Sequence, residues 1–480
     1  MKDVLKRREK PYTKLFVKTR YFVLITILIL LLPFLFRFNS LIPGDENYLI
    51  SRMSHSILEK KNLYDNFSFG GRAATYPIGA IIILTLFNKF DNFILVLIPI
   101  LFGIASVLLY VKILRKFNVD DTVVFMSFLI LIFSNAFLYN FTIFNFYTIP
   151  VFLFLLGFYF LIENKYAASF ILFALIPFFG FFNFATSFLL IFSYLVWKRE
   201  HKKFLIYFAL VLITNFIAYF WVIKNFGFPN YSINNFAISI QSIVTEFNGF
   251  GVSLFVLVLS LLGLRKLWEK KYSYLLLYIY LLFLFILVFI DSRLIIYLAF
   301  ILSYLSSLGL INIYYSKWEL VNVKKIMMLI LAIGIIFSSI SYVTKFKYIA
   351  PDEDIYNGLV YLKGNSEDNA VVFSHYKNGI LINSISERKN FIDKNFLYIK
   401  DIKRRLRDND EILYSRNLRK TEALLNKYNI SYIFITKDMK QGLVWNNDNE
   451  GLLFVMKFST TENFIKIYEN NGVEIWKYFG

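Results

Sequence analysis

Long apolar blocks organise the first 344 residues. They fall at 21–36, 92–111, 122–140, 145–162, 167–182, 184–197, 204–223, 251–264, 273–290, 294–312 and 326–343. Each is long enough, or nearly so, to cross hydrocarbon as a helix. One more block, 77–87 (PIGAIIILTLF), opens on Pro77 and has only 11 residues, too few to cross. Beyond residue 344 the pattern changes. Shorter periods predict helices at 352–363, 401–411 and 417–428, and strands at 370–374, near 390–393 and at 431–436. The stretch FIKIYENNGVEIWKY reads as a hairpin turning at Asn471-Gly472.

Composition agrees with a membrane class. Of the 480 residues 58% are hydrophobic and only 18% charged, too apolar for a soluble chain of this length. The basic N-terminus leads into the first block with no small-residue cleavage site after it, so that block is expected to remain as a helix. Without cysteine, disulfides and thiolate metal sites are excluded.

The net charge of +19 changes the picture only through its placement. Residues 1–344 hold 31 bases and 15 acids, and residues 345–480 hold 21 and 18, so +16 lies in the apolar part. The bases gather in KILRKFNVDD, ENKY, KREHKK, RKLWEKKY and IYYSKWELVNVKK. These loops share one side if 77–87 does not cross, and the opposite short loops then hold only Lys224 and Arg293. That is the positive-inside pattern, and it explains the basic excess without nucleic acid. The expectation is an α-helical polytopic membrane protein with about 11 transmembrane helices over residues 1–344, its N-terminus cytoplasmic. The loop 37–91, with 77–87 as a re-entrant or interfacial segment, and an α/β domain at 345–480 are external. All four N-x-S/T sequons (Asn66, Asn140, Asn230, Asn429) fall on that side.

Candidate chemistry gathers in the loop 37–91. In SLIPGDENYLISR, Asp45 and Glu46 stand just after the first apolar block. Asp45 suits the N-cap of a helix beginning near Glu46. A carboxylate at the outer face also suits a general base, taking the proton of an attacking hydroxyl. Arg293, in IDSRLIIYLAF, needs an anionic partner so near hydrocarbon: Asp291, a lipid headgroup, or the phosphate of a lipid-linked substrate. Arg72 and Lys224 are further phosphate-binding candidates, or plain interfacial anchors. Tyr76 and His55 pack or line the loop, and Glu246 is a solvated loop residue, a second carboxylate of the site or a metal ligand with Asp45. The three histidines lie in separate segments, and no P-loop, GxGxxG or HExxH motif occurs. A divalent metal ion is neither required nor excluded.

GDENYLISRMSHSILEKKNLY, with GGRAATYPIGA after it, resembles the first external loop of GT-C-class glycosyltransferases, notably protein O-mannosyltransferases and aminoarabinose transferases. The resemblance implies that Asp45, with Glu46 beside it, occupies the catalytic acidic position. Tyr76-Pro77-Ile78 then matches an aromatic-Pro-Pro stretch, with Ile78 for the second proline. SRLIIYLAFILSYLSSLGL is similar to a late span that begins with an arginine, matching Arg293. The tail has a fainter likeness to oligosaccharyltransferase catalytic subunits, but Ser374-His375-Tyr376-Lys377-Asn378-Gly379 stands where they carry Trp-Trp-Asp-Tyr-Gly.

The resemblance implies a GT-C-like fold and transfer of a sugar from a polyprenyl (dolichyl) phosphate donor. The acceptor would be a lipid, glycan or protein, at a site open to membrane lipids. The rival classes are a lipid or solute transporter or flippase, an oligosaccharyltransferase-like enzyme, and a structural membrane protein whose tail binds a partner. Transporters place ionisable groups or broken helices at the midplane, whereas the apolar blocks here hold almost no charge.

Overall fold

The computed structural model describes residues 18–37, 41–60, 64–87, 91–227, 241–247, 250–269, 271–272, 274–349, 351–396, 398–399, 401–458 and 463–480. The chain divides into two compact units. The first comprises residues 1–38, 96–218 and 232–346, the second 39–95, 219–231 and 347–480. The sequon at Asn230 and much of the loop 224–250 lie outside the described residues.

The first unit is helical. Among the described residues four helices are long and apolar enough to cross a membrane: Phe93–Lys116, His201–Phe226, Ser292–Tyr315 and Val321–Phe346. Shorter apolar helices run Thr19–Leu35, Thr148–Ile162, Tyr166–Phe179, Phe181–Trp197 and Leu275–Ile290. The helix Ser292–Tyr315 is apolar all round because it is buried all round, as expected of a core helix. It meets Leu254–Trp268 at Gly263 and Gly309, where a Cβ on Gly263 would lie 1.9 Å from the Leu305 carbonyl oxygen. Small residues let the two backbones touch, the usual solution where lipid offers no hydrophobic drive between helices.

The apolar block 122–140 is bent: Asp121–Ile132 and Asn135–Thr142 meet at 63°, the form of a broken span or a re-entrant loop. The cause is local. Ser134 is extended, and its hydroxyl accepts from Phe137 N at 3.3 Å, so it caps a new helix. The polar groups freed by the break are covered, for Asn135, Asn140, Thr142, Asn145 and Thr148 are all buried. Irregular backbone at membrane depth is tolerated only in that condition. Burial also takes Asn140 out of reach as a sequon.

The second unit holds the loop and the tail. The block 77–87 forms the helix Ile78–Leu86, whose 9 residues rise only about 14 Å, half the hydrocarbon thickness. The tail carries a five-stranded sheet of β3 (Val371–Phe373), β4 (Lys389–Asn390), β5 (Ile430–Ile435), β6 (Phe464–Asn470) and β7 (Val473–Tyr478), in the order β4-β3-β5-β7-β6. β3 runs parallel to β4 and β5, while β7 runs antiparallel to β5 and β6. Along β5 the side chains alternate between two cores. Tyr432 and Phe434 pack with Leu359 and Leu362 of the helix Glu353–Asn365. Ile433 and Ile435 pack with Ile412, Leu425 and Leu453 of the helices Ile402–Tyr414, Leu418–Lys427 and Gly451–Phe458. Both faces are therefore covered, which explains the apolar run Tyr432–Ile435 of β5. The hairpin turns at Asn471 (φ 44°) and Gly472 (φ 89°), the two positive values a two-residue turn of this hand requires.

Candidate active site

Asp45 is the first residue of the helix Asp45–Lys60. The start is fixed from both sides. Gly44, at φ 88°, donates its N–H to Ile349 O at 3.2 Å, and Asn47, fully buried, donates its amide to Pro43 O at 2.5 Å. Asp45 itself stays partly open, with its side chain 24% exposed. Its carboxylate accepts from Lys394 Nζ of the tail. Glu46 follows in the same first turn, and His55 lies exposed further along the helix.

Behind that edge lies a buried charged network. β1 (Tyr64–Asp65) and β2 (Arg72–Ala73) pair antiparallel, with Asp65 directly opposite Arg72. Asp65 is the hub. It accepts from Arg52 Nη1 and Nη2 at 2.5 and 2.8 Å, from the Tyr76 hydroxyl at 2.8 Å, and from the N–H groups of Phe67 and Ser68 at 3.1 and 3.2 Å. Burial alone would raise its pKa, but Arg52 and these donors overcome that and hold it at about 2. The same burial pushes the Tyr76 hydroxyl far up, so it stays a proton donor. Arg72 donates to Tyr76 Oη at 2.7 Å and to Asn395 O at 2.7 Å, with Asp393 at 4.0 Å. Asp393 in turn accepts from Ser68 Oγ at 2.6 Å, Asn395 N at 2.7 Å and Asn390 Nδ2 at 3.3 Å.

The turn between the two short strands is strained. Phe69 sits at φ 54°, unusual for a bulky residue, and Gly70 and Gly71 follow at 81° and 119°. Phe69 is held there by the tail: its N–H donates to Asn390 Oδ1 at 2.7 Å, and its carbonyl accepts from Arg405 Nη1 at 3.0 Å. The Arg72 and Arg405 guanidinium groups lie 5.0 and 5.4 Å from its ring centroid. Strain of this kind persists only where the surroundings over-determine it.

Arg293 belongs to the first unit. Its Nε and Nη2 donate to the two oxygens of Asp291 at 3.0 and 3.1 Å, its guanidinium lies 4.9 Å from the Tyr147 ring centroid, and the Tyr147 hydroxyl donates to Asp291. Glu246, in the same unit, accepts from Ser253 Oγ at 2.6 Å and Leu254 N at 2.9 Å, which fastens the start of the helix Leu254–Trp268. Lys224 is exposed in the last turn of His201–Phe226. Among the described residues no three His, Asp or Glu side chains converge as metal ligands, and no step below passes through a metal.

Of the residues singled out in the sequence, then, Arg72 and Tyr76 meet in one network, and Asp45 stands at its edge. Sequence reasoning missed Arg52, Asp65, Asp393 and Lys394. The only local signal is the turn chemistry of YDNFSFGG and FIDKNF, where an Asp beside Asn and Phe invites side-chain-to-backbone bonding.

No family model and no curated protein sequence matches the chain. Solved structures do share its fold. The oligosaccharyltransferase AglB of Archaeoglobus fulgidus, in complex with an inhibitory peptide and a dolichol-phosphate, matches with a TM-score of 0.60 at 12% identity, over 96% of this chain and 74% of that one. ArnT from Cupriavidus metallidurans, bound to undecaprenyl phosphate, matches with a TM-score of 0.53 at 9% identity, over 95% and 97%. The mycobacterial arabinofuranosyltransferase AftD gives 0.60 at 13%, covering 97% of this chain but only 40% of that one. At such identities the likeness is one of fold: a multi-pass helical membrane protein of GT-C architecture with a C-terminal domain.

Proposed function

We propose that the chain is a membrane glycosyltransferase. It moves a sugar from a polyprenyl (dolichyl) phosphate carrier to an acceptor lipid, glycan or protein at the outer membrane face, with Asp45 as general base. The observation that carries this reading is the setting of Asp45. It is a partly exposed carboxylate on a fixed helix start, in a loop clasped by the tail, on a fold whose neighbours were captured with dolichol-phosphate and undecaprenyl phosphate. The N-terminus then lies in the cytoplasm, with the loop 37–91 and the domain 345–480 outside, as the loop charges require.

The chemistry needs few groups. The acceptor oxygen attacks the anomeric carbon, its proton passes to the Asp45 carboxylate, and the C–O bond to phosphate breaks with its electron pair leaving on phosphate. One displacement inverts the anomeric centre. Phosphate leaves as a stable anion, so a cation serves in place of a general acid. Arg293 is that cation in this reading, exchanging its bidentate hold on Asp291 for phosphate oxygens of the same geometry. Arg72 and Tyr76 support the loop from inside, Lys224 stands as an anchor, and Glu46 neighbours the base.

The test is turnover. Purified protein is incubated with a panel of polyprenyl-phosphate sugars and lipid, glycan and peptide acceptors, a sequon peptide among them, and release of free polyprenyl phosphate is followed. Asp45→Asn should abolish release at unchanged expression. A folded wild type that turns over no donor, or an Asp45→Asn variant as active as wild type, would defeat the proposal. Transport of the lipid without glycosyl transfer would favour a flippase.

A further inference from the structure

We infer that Lys394 is the positioning residue for Asp45: its ammonium fixes the orientation of the carboxylate, and a buried clamp on both sides of Lys394 holds that segment in place. What Asp45 does in this inference rests on the glycosyltransferase reading above.

The two residues are 349 positions apart, yet Lys394 Nζ donates to Asp45 Oδ2, and it is the one hydrogen-bonding partner of the Asp45 carboxylate among the described residues. A surface pair of this kind ordinarily contributes little, because ordering two flexible side chains costs entropy that water-screened attraction barely offsets. Here both backbones are already fixed. On one side stand the bonds of Gly44 and Asn47. On the other, Lys394 sits between two anchored neighbours. Asp393, its side chain 1% exposed, accepts from Ser68, Asn390 and Asn395 N, while Asn395 O accepts from Arg72 at 2.7 Å. Lys394 itself is 42% exposed, an open residue on a locked segment. The buried network therefore delivers one cation to one carboxylate, as positioned sites require.

The pairing has a catalytic consequence. Lys394 occupies Asp45 Oδ2 and so sets the orientation in which Oδ1 is left to take the acceptor proton. Lys394 itself gives up nothing to the sugar or the phosphate.

Two measurements on the full-length protein in nanodiscs test this. First, the acylation rate of Lys394 by an amine-reactive reagent is read by mass spectrometry, with Lys389 as internal reference. It should rise several-fold in Asp45→Asn. Equal rates in wild type and Asp45→Asn overturn the pairing, whatever the enzyme does. Second, kinetics are taken with a donor that wild type turns over. Lys394→Met should lower kcat by about 10- to 100-fold with the donor KM within about twofold, and Lys394→Arg should recover kcat to within about threefold. A purely structural lysine would lower folded yield without that split or that rescue. If Lys394→Met matches wild type while wild type turns over, the inference falls and glycosyl transfer stands. If wild type turns over no donor, the catalytic reading falls, and this role with it.

Discussion

Arg52 and Asp65 form a two-pronged ion pair, Nη1 to Oδ1 at 2.5 Å and Nη2 to Oδ2 at 2.8 Å, with side chains 9% and 0% exposed. Removing one partner leaves the other charge buried without its counterpart, which costs about 3–5 kcal/mol. Arg52→Met and Asp65→Asn should each lower the unfolding midpoint markedly. The double variant should be less destabilised than the sum of the two, because it leaves no orphaned charge. Thermal unfolding of all three in one detergent checks this, and strict additivity would refute the coupling.

Acid should loosen the second unit in two windows. Burial, with help from the nearby Lys377 and Lys394 charges, lowers the His375 pKa from its usual 6.5 to about 4. The unfolded chain therefore takes up this proton first, so the stability held above about pH 6.5 is lost as pH falls towards 4. Asp65, held at about 2, works lower: its contribution is present above about pH 4 and disappears as pH falls towards 2. Unfolding midpoints of wild type and His375→Gln across pH 7 to 4 test the upper window. The variant should show the flatter profile, and parallel profiles would exclude His375.

Much of this was legible in the chain, for identifiable reasons. Apolar blocks announce helices because a single long apolar segment in lipid satisfies its own backbone only as a helix. The strand and helix periods of 345–480 survive because each element buries a face of its own. The hairpin at Asn471-Gly472 follows from the two positive φ values that those residues tolerate. The break at Ser134 was hidden because its hydroxyl accepts from Phe137 N and donates to Leu131 O, a purely local repair, while hydropathy stays high on both sides. The network was hidden for a different reason. Asp65 and Asp393 come together only once β1 and β2 close and β4 docks beside Phe69, and no local pattern encodes a partner hundreds of residues away.

The contact between Leu254–Trp268 and Ser292–Tyr315 should tolerate no side chain at its tightest points. A Cβ on Gly263 would stand 1.9 Å from Leu305 O, and one on Gly309 2.1 Å from Leu259 O. Both obstacles are backbone, so the helices must separate. The Ser306 Oγ bond to Val256 O, at 2.7 Å, then stretches as well. Overpacking of this kind costs about 1–3 kcal/mol. Gly309→Ala and Gly263→Ala should each reduce folded yield and unfolding midpoint, whereas Gly364→Ala, with nothing within 4 Å, should not. Equal behaviour of all three variants would contradict the close contact.

In the sequence Arg293 is the main candidate for phosphate and Arg72 a further one or a plain interfacial anchor, and the structure gives them different predictions. The Arg72 side chain is 9% exposed and already spent on Tyr76 and Asn395. Arg72→Met should therefore act through folding, lowering the unfolding midpoint by an amount in keeping with about 2–4 kcal/mol, with turnover falling only as folded protein does. Arg293 is 44% exposed and holds Asp291 with parallel N–H groups, the geometry that also grips a phosphate. Arg293→Met should lower the unfolding midpoint less than Arg72→Met does, since Asp291 keeps its Tyr147 bond, and cut kcat/KM for the lipid-linked donor by about 100-fold, roughly 2.7 kcal/mol of transition-state stabilisation. Arg293→Lys should recover only part of that, since an ammonium is a point charge and cannot form the two-pronged contact. The discriminating plot is kcat/KM against unfolding midpoint for the three variants. Arg72→Met should show a large loss of midpoint and Arg293→Met a large loss of rate. If the two arginines trade places on that plot, the phosphate role moves to the loop and the reading of Arg293 is lost.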